Sequence, residues 1–242
     1  MLRVEGVAKR FGGLLAVSDA SLHVAQGSIT GLIGPNGAGK TTLFAIVSGF
    51  IAPTAGRVLF EGQDLTREAP HVRARRGIAR TFQIVQPFAG LSVRENIAVG
   101  AYLRHPSRKG ALVRAEQVAA LVGLGPMLDR PASALTVSGR KRLELGRALA
   151  TEPRLLLLDE VLAGLNPTEI REIIPVIHAI RDGGVTILLI EHVMQAVMSL
   201  CEQVNVLAQG RIIAVGTPQD VCTDPAVIEA YLGHGAAARA HA

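Results

Sequence analysis

Three observations predict an α/β fold built on a parallel sheet. A glycine-rich bend at residues 34–42 directly follows a short apolar run, 28–33, and opens into a helical pattern over 41–48. Two more apolar runs, 155–158 and 185–190, are continuous instead of alternating, as strands buried on both faces should be. Between them lie Asn166-Pro167-Thr168 and a helical periodicity over 169–181, closed by Gly183-Gly184. Strand, helix and strand in that order argue parallel pairing.

Residues 14–24 alternate loosely, in the manner of a half-buried strand. The strongest apolar run, 43–52, is broken by Ser48 and Gly49 and falls short of the ~18 residues that a membrane span needs. From 91 to 150 helix signals dominate, at 93–103, 111–122 and 141–150, separated by Pro106, by Gly123-Leu124-Gly125-Pro126 and by Pro131. A helical block inside an alternating chain reads as an inserted subdomain, not as a second independent domain. Residues 204–208 and 211–215, split by Gln209-Gly210, read as a terminal hairpin. Residues 233–242 are small and polar and are expected to form a flexible tail, leaving 1–233 as one domain.

Composition removes several function classes. With 49% apolar and 19% charged residues, the 242-residue chain holds too much core material to be disordered. The N-terminus, Met1-Leu2-Arg3-Val4-Glu5, lacks the apolar core of a secretory signal, so a cytoplasmic chain is expected. Cys201 and Cys222 cannot by themselves build a disulfide framework or a metal cage. The net charge of +5 comes mainly from arginine, 21 Arg against 4 Lys, which leaves anionic partners open. Eight aromatic residues, none of them Trp, give few platforms for stacking bases.

Gly34-Pro35-Asn36-Gly37-Ala38-Gly39-Lys40-Thr41-Thr42 fits G-x-x-x-x-G-K-[ST] in full, in the strand-to-helix setting that the motif needs. Successive N–H groups of such a loop wrap a phosphate at a helix N-terminus, where the macrodipole favours negative charge. Lys40 then reaches the β- and γ-phosphates, and Thr41 offers its hydroxyl to Mg²⁺. Asp159 ends the 155–158 strand, where open parallel sheets collect ligands, and can hold Mg²⁺ through water. Glu160, next to it, can polarise the water that attacks the γ-phosphate. Alone, the two acids would read as a helix cap and a first-turn acid; beside the P-loop the catalytic reading prevails. His192 ends the next strand, where its imidazole could meet the γ-phosphate edge, and Gln83 lies just before the helical block.

Together these residues resemble the ATP-binding cassette ATPases, the nucleotide-hydrolysing subunits of ABC transporters, over residues 2–233. The motifs stand in the family's order. The P-loop comes first, then Gln83 as the glutamine-loop residue, a signature segment, Asp159-Glu160, the D-loop Ala163-Gly164-Leu165-Asn166, and His192 as the switch histidine. Phe11 matches the aromatic that stacks on adenine; a small-core phenylalanine is the competing account. The resemblance implies a RecA-like parallel core, an N-terminal antiparallel β subdomain and an inserted α-helical subdomain. It implies ATP and Mg²⁺ as ligands, with Thr41, Gln83 and Asp159 toward the metal. The implied partners are a second ATPase subunit, two transmembrane permeases and, indirectly, a substrate-binding protein, at the cytoplasmic face of the membrane.

Narrower matches point to branched-chain (hydrophobic) amino acid uptake, and within it to the longer of two ATPase subunits. They are Gly77-Ile78-Ala79-Arg80-Thr81-Phe82-Gln83, Glu191-His192-Val193-Met194, Gly164-Leu165-Asn166-Pro167 and the ending at 224–233. Urea or amide systems share much of this pattern. The signature departs from Leu-Ser-Gly-Gly-Gln: the family's spacing places Thr136, 23 residues before Asp159, at the serine position, giving Leu135-Thr136-Val137-Ser138-Gly139. A register shifted to Ser138-Gly139 is the alternative, and in either case a helix from about Lys141 points its N-terminus at the partner's nucleotide. Val161 and Asn166 stand where the family usually has Pro and Asp. Ile84, Val85, Pro87 and Phe88 could dock a membrane subunit's helix or form a tucked loop. A soluble ATPase acting on nucleic acid or ribosomes is the runner-up, resting on Arg67, Arg73, Arg75, Arg76 and Arg80. A GTP switch would need Asn-Lys-x-Asp, which none of the four lysines provides.

Overall fold

The computed structural model describes residues 1–82 and 86–232. They form two compact units, one built from residues 1–73 with those from 186 onward, the other from residues 74–185. Gln83, Ile84, Val85 and the tail from Gly233 lie outside the described residues, so the expectations placed on them have no structural counterpart.

The first unit opens with β1 (Leu2–Phe11) and β2 (Leu14–Val24), which pair antiparallel; β1 pairs antiparallel with β4 (Ala55–Phe60), and β4 with the short β5 (Gln63–Asp64). The same unit holds β3 (Ile29–Ile33), flanked in parallel by β8 (Thr186–Ile190) and β9 (Gln203–Ala208), with β10 (Arg211–Gly216) antiparallel on β9. Every residue of β3 and β8 is buried, which explains why both read as continuous apolar runs. Gln209 and Gly210, both at positive φ, make the tight turn of the β9–β10 hairpin. The helices of this unit are α1 (Lys40–Val47), α7 (Met194–Leu200), α8 (Pro218–Thr223) and α9 (Pro225–Leu232), and α2 (Pro70–Arg75) ends its N-terminal stretch.

In the second unit, β6 (Ile78–Arg80) pairs in parallel with the wholly buried β7 (Leu155–Asp159). Between them in sequence come α3 (Val93–Ala101), α4 (Arg108–Leu121) and α5 (Val137–Ala150), which pack on one another, and α6 (Pro167–Asp182) follows β7. A parallel core, an N-terminal antiparallel sheet and a helical insertion are thus all present. Helix ends differ from expectation: α3 stops at Ala101 instead of 103, and α4 begins at Arg108 instead of 111. Helix α5 begins at Val137, a turn before Lys141, because Thr136 caps it by accepting from the Gly139 N–H at 3.2 Å. Among the described residues, no helix is long and apolar enough to cross a membrane.

Candidate functional site

The P-loop lies between the buried end of β3 and the first turn of α1. Its glycines at 34 and 39 sit at φ +150° and +105°, and a Cβ on either would land on a carbonyl oxygen, that of Leu207 or Ala16 respectively. Only glycine allows both that conformation and that approach. Ala38 accepts from the Gly210 N–H at 3.0 Å, and Gly210 accepts from the Ser18 N–H at 2.7 Å, so the hairpin turn ties the loop to β2. The Lys40 ammonium is buried and donates to the Gly34 and Pro35 carbonyls at 2.6 and 3.0 Å. The loop is therefore already wound around its lysine. Helix α1 has no side-chain cap and no acid in its first turn, so its N-terminus keeps its full attraction for an anion. Asn36, Gly37 and Thr41 are exposed, Pro35 and Thr42 partly so, and Ala38 is buried.

Two other features of the first unit bear on ligand binding. Phe11, at the end of β1, is exposed, with the Lys9 ammonium 5.1 Å from its ring centroid, so it is not a core residue. His192 is exposed directly after β8, as its place in the sequence implied. A contact that sequence reasoning missed is that of Tyr231 on α9: its phenol is hydrogen-bonded by the Gly34 backbone, while burial pushes it above its ordinary pKa.

In the second unit, Asp159 is buried at the C-terminal end of β7, and Glu160 follows at φ +48°, a left-handed conformation unusual for a non-glycine residue. Such strain persists only where the surroundings impose it. Here the Glu160 carbonyl accepts from the buried Lys141 ammonium and from the Ala163 N–H, each at 3.1 Å. Asp159 itself is held twice: Arg80 donates to its Oδ2 at 2.7 Å, and its backbone N–H donates to the Thr81 hydroxyl at 3.1 Å. The D-loop residues Ala163 and Leu165 are half-buried, Gly164 is exposed, and Asn166 caps α6 by accepting from Thr168 and Glu169. An Asn caps as well as the family's usual Asp, which makes that departure mild in physical terms.

In the signature segment, Leu135 and Gly139 are buried, Ser138 half-buried, and Thr136 and Val137 exposed at the start of α5. Thr136 stands at the N-cap of α5, and Ser138 lies within its first turn. Further along α5, Glu144 is buried, its carboxyl raised by that burial and opposed by Arg147 at 3.1 Å and the Phe82 N–H. Arg147 also donates to the Gln86 carbonyl and stands 4.8 Å from the centroid of the Phe88 ring, so α5 grips both flanks of the glutamine-loop segment.

Of the basic cluster behind the nucleic-acid reading, Arg67 and Arg75 are exposed and Arg76 is half-buried. Arg73 is fully buried and Arg80 nearly so, each consumed by internal bonds. Among the described residues, no group of three or more His, Cys, Asp or Glu could hold a metal ion. Mg²⁺ asks for less: it usually takes one or two carboxylates, a hydroxyl and substrate phosphates. The Asp159 carboxylate and the exposed Thr41 hydroxyl are hard oxygen donors of that kind.

Comparison with known proteins bears on the family and the fold. Residues 17–163 match the family model "ABC transporter", and residues 211–237 match "Branched-chain amino acid ATP-binding cassette transporter". The chain is 41% identical to the high-affinity branched-chain amino acid transport ATP-binding protein LivG of Escherichia coli K12, covering 96% of this chain and 98% of that one. It is also 36% identical to the lipopolysaccharide export system ATP-binding protein LptB of the same organism, covering 96% and 97%. Among solved structures, a nucleotide-free ATP-binding cassette from an ABC transporter superposes with a TM-score of 0.88 at 33% identity, covering 97% of this chain and 99% of that one.

Proposed function

Because the chain belongs to the ABC transporter family as an ATP-binding subunit, and is an ATPase of that family, we propose that it drives uptake of branched-chain or other hydrophobic amino acids. Its working place would be the cytoplasmic face of the membrane, as one half of a cassette pair mounted on two permease subunits fed by a substrate-binding protein. Residues 1–233 act as one cassette. The match of residues 211–237 to a branched-chain amino acid family, and the higher identity to LivG than to LptB, support the cargo.

The observation that carries the ATPase chemistry is the loop wound on Lys40. The loop from Gly34 to Thr42 wraps the β-phosphate, its backbone N–H groups beyond Pro35 facing the anion, and Phe11 stacks on the base. Lys40 exchanges the Gly34 and Pro35 carbonyls for β- and γ-phosphate oxygens. Thr41, Asp159 and Gln83 hold Mg²⁺, which when bound screens the phosphate charges. Glu160 accepts a proton from the attacking water as its oxygen bonds to the γ-phosphorus and the bond to ADP breaks, releasing phosphate. His192 donates toward the γ-phosphate edge. Leu135, Thr136, Val137, Ser138 and Gly139 face the partner's nucleotide, with Ala163, Gly164, Leu165 and Asn166 at the pair's interface. Val137 and Ser138 stand where glycines would let the backbone approach, so the two sites of a heterodimer are unequal.

Replacing Glu160 by Gln should lower hydrolysis by about 10² to 10⁴, the usual share of a general base, with ATP binding retained. Near-normal turnover in Glu160→Gln would remove the residue from that role. The matching substitution in the partner should cost a different factor; equal losses would argue for equal sites. Membrane fractions from cells with the permeases should hold the chain and release it in alkali, whereas release by nuclease would favour a nucleic-acid partner.

A further inference from the structure

The strands β6 and β7 run parallel with Arg80 opposite Leu157. Because side chains alternate along a strand, Arg80 and Asp159 emerge on the same face, one step apart. They meet there: Arg80 Nη2 stands 2.7 Å from Asp159 Oδ2, with the two side chains only 10% and 4% exposed. The guanidinium also lies 5.7 Å from the centroid of the Phe82 ring, two residues on. This pair is internal and includes Asp159, a residue assigned to the metal, and nothing in the hydrolytic chemistry uses the arginine.

We infer that Arg80 is the resident counter-cation of Asp159 and makes Mg²⁺ arrive with the nucleotide instead of ahead of it. The inference rests on Asp159 being a metal-side residue. A buried carboxylate without a countercharge would either take up a proton or draw in any divalent ion present. A guanidinium is a fixed cation, and at 2.7 Å it offsets the charge of the Asp159 carboxylate. Its bond engages Oδ2, which leaves Oδ1 for a metal-bound water. Lys141 donates to the Glu160 backbone carbonyl and so places a second cation beside the pair. Without nucleotide the Asp159 carboxylate thus presents an already paired charge to an approaching cation. ATP brings its own phosphate charges and changes that balance. Arg80 is thus a positioning residue acting through Asp159.

The test is Mn²⁺ binding followed by electron paramagnetic resonance on the intact chain, with and without ATP. Without nucleotide, Arg80→Gln should bind Mn²⁺ about tenfold more tightly than wild type, the effect expected of an uncancelled charge at close range. Adding Asp159→Asn to it should abolish the gain, and Arg80→Lys, which keeps the charge, should bind as weakly as wild type. An Arg80→Gln chain that is folded by circular dichroism and no tighter than wild type overturns the proposal. Should Arg80→Gln not fold, Arg80→Lys still decides, since tighter binding there would show that charge is not the device. Asp159→Asn alone, with ATP present, separates the two claims. Unchanged Mn²⁺ affinity removes Asp159 from the metal, whereas weakened affinity beside an unaltered Arg80→Gln sinks only the role of Arg80.

Discussion

Replacing Arg73 by Met should destabilise the P-loop's supporting helix, and the structure sets the size of the loss. All five N–H donors of the buried guanidinium are used. Nη1 donates to the Ile46 and Val47 carbonyls at 2.7 Å each, Nη2 to Leu65 and to Thr66 at 3.1 Å, and Nε to Glu68 at 3.0 Å. Ile46 and Val47 are at the C-terminal end of α1, where a cation also answers the helix dipole. In Arg73→Met the Ile46 and Leu65 carbonyls keep a second donor, the N–H of Gly49 and of Glu68. The Val47, Thr66 and Glu68 carbonyls lose the guanidinium contact. At about 1 kcal/mol for each buried acceptor so deprived, the net cost is about 3 kcal/mol. Burial already holds the guanidinium below its ordinary pKa, so its own desolvation offsets part of a larger gross loss. For a chain of this size that is a fall in melting temperature of about 6–12 °C. Arg73→Lys keeps the charge but brings its donors on one nitrogen, which cannot serve both carbonyl groups, and should fall between the two. Differential scanning calorimetry measures this directly. A melting temperature for Arg73→Met within about 2 °C of wild type would refute the reasoning, as would an Arg73→Lys chain of full stability.

Thr136→Ala removes the α5 cap and should cost about 1 kcal/mol in urea unfolding, while a cost near zero would mean that the Gly139 bond contributes nothing. In the assembled pair the same change should slow hydrolysis at the partner's nucleotide; an unaffected partner site would favour the shifted register. Native thiol counting with a maleimide at pH 8 should find one cysteine per chain, rising to two in denaturant. Cys222 is exposed, whereas burial pushes Cys201 up to about 12, leaving about one thiolate in ten thousand at that pH. Two reactive thiols in the native chain would contradict the burial.

What the sequence made legible was whatever local pattern dictates. The strands β3, β7 and β8 are buried on both faces and so read as continuous apolar runs. The P-loop is a contiguous motif whose glycines are required by close backbone approaches. The start of α5 was misplaced because Val137, Ser138 and Gly139 are weak helix formers, and only the Thr136 cap holds that first turn. The contact of Arg80 with Asp159 spans 79 residues, and that of Arg73 with Ile46 spans 27. No local pattern announces either, so a string of arginines looked like a basic surface when two of its members are internal struts. Likewise, Tyr231 could not be tied to Gly34 before α9 was seen against the core.

Equilibrium binding of ATP to the purified chain in magnesium buffer tests the account most directly, by calorimetric titration of wild type and Lys40→Ala. The account predicts one saturable nucleotide per wild-type chain and an affinity at least about tenfold weaker in Lys40→Ala, the loss of a charge-assisted phosphate contact. Absence of saturable binding in the wild-type chain, or equal affinity in the two, would contradict it.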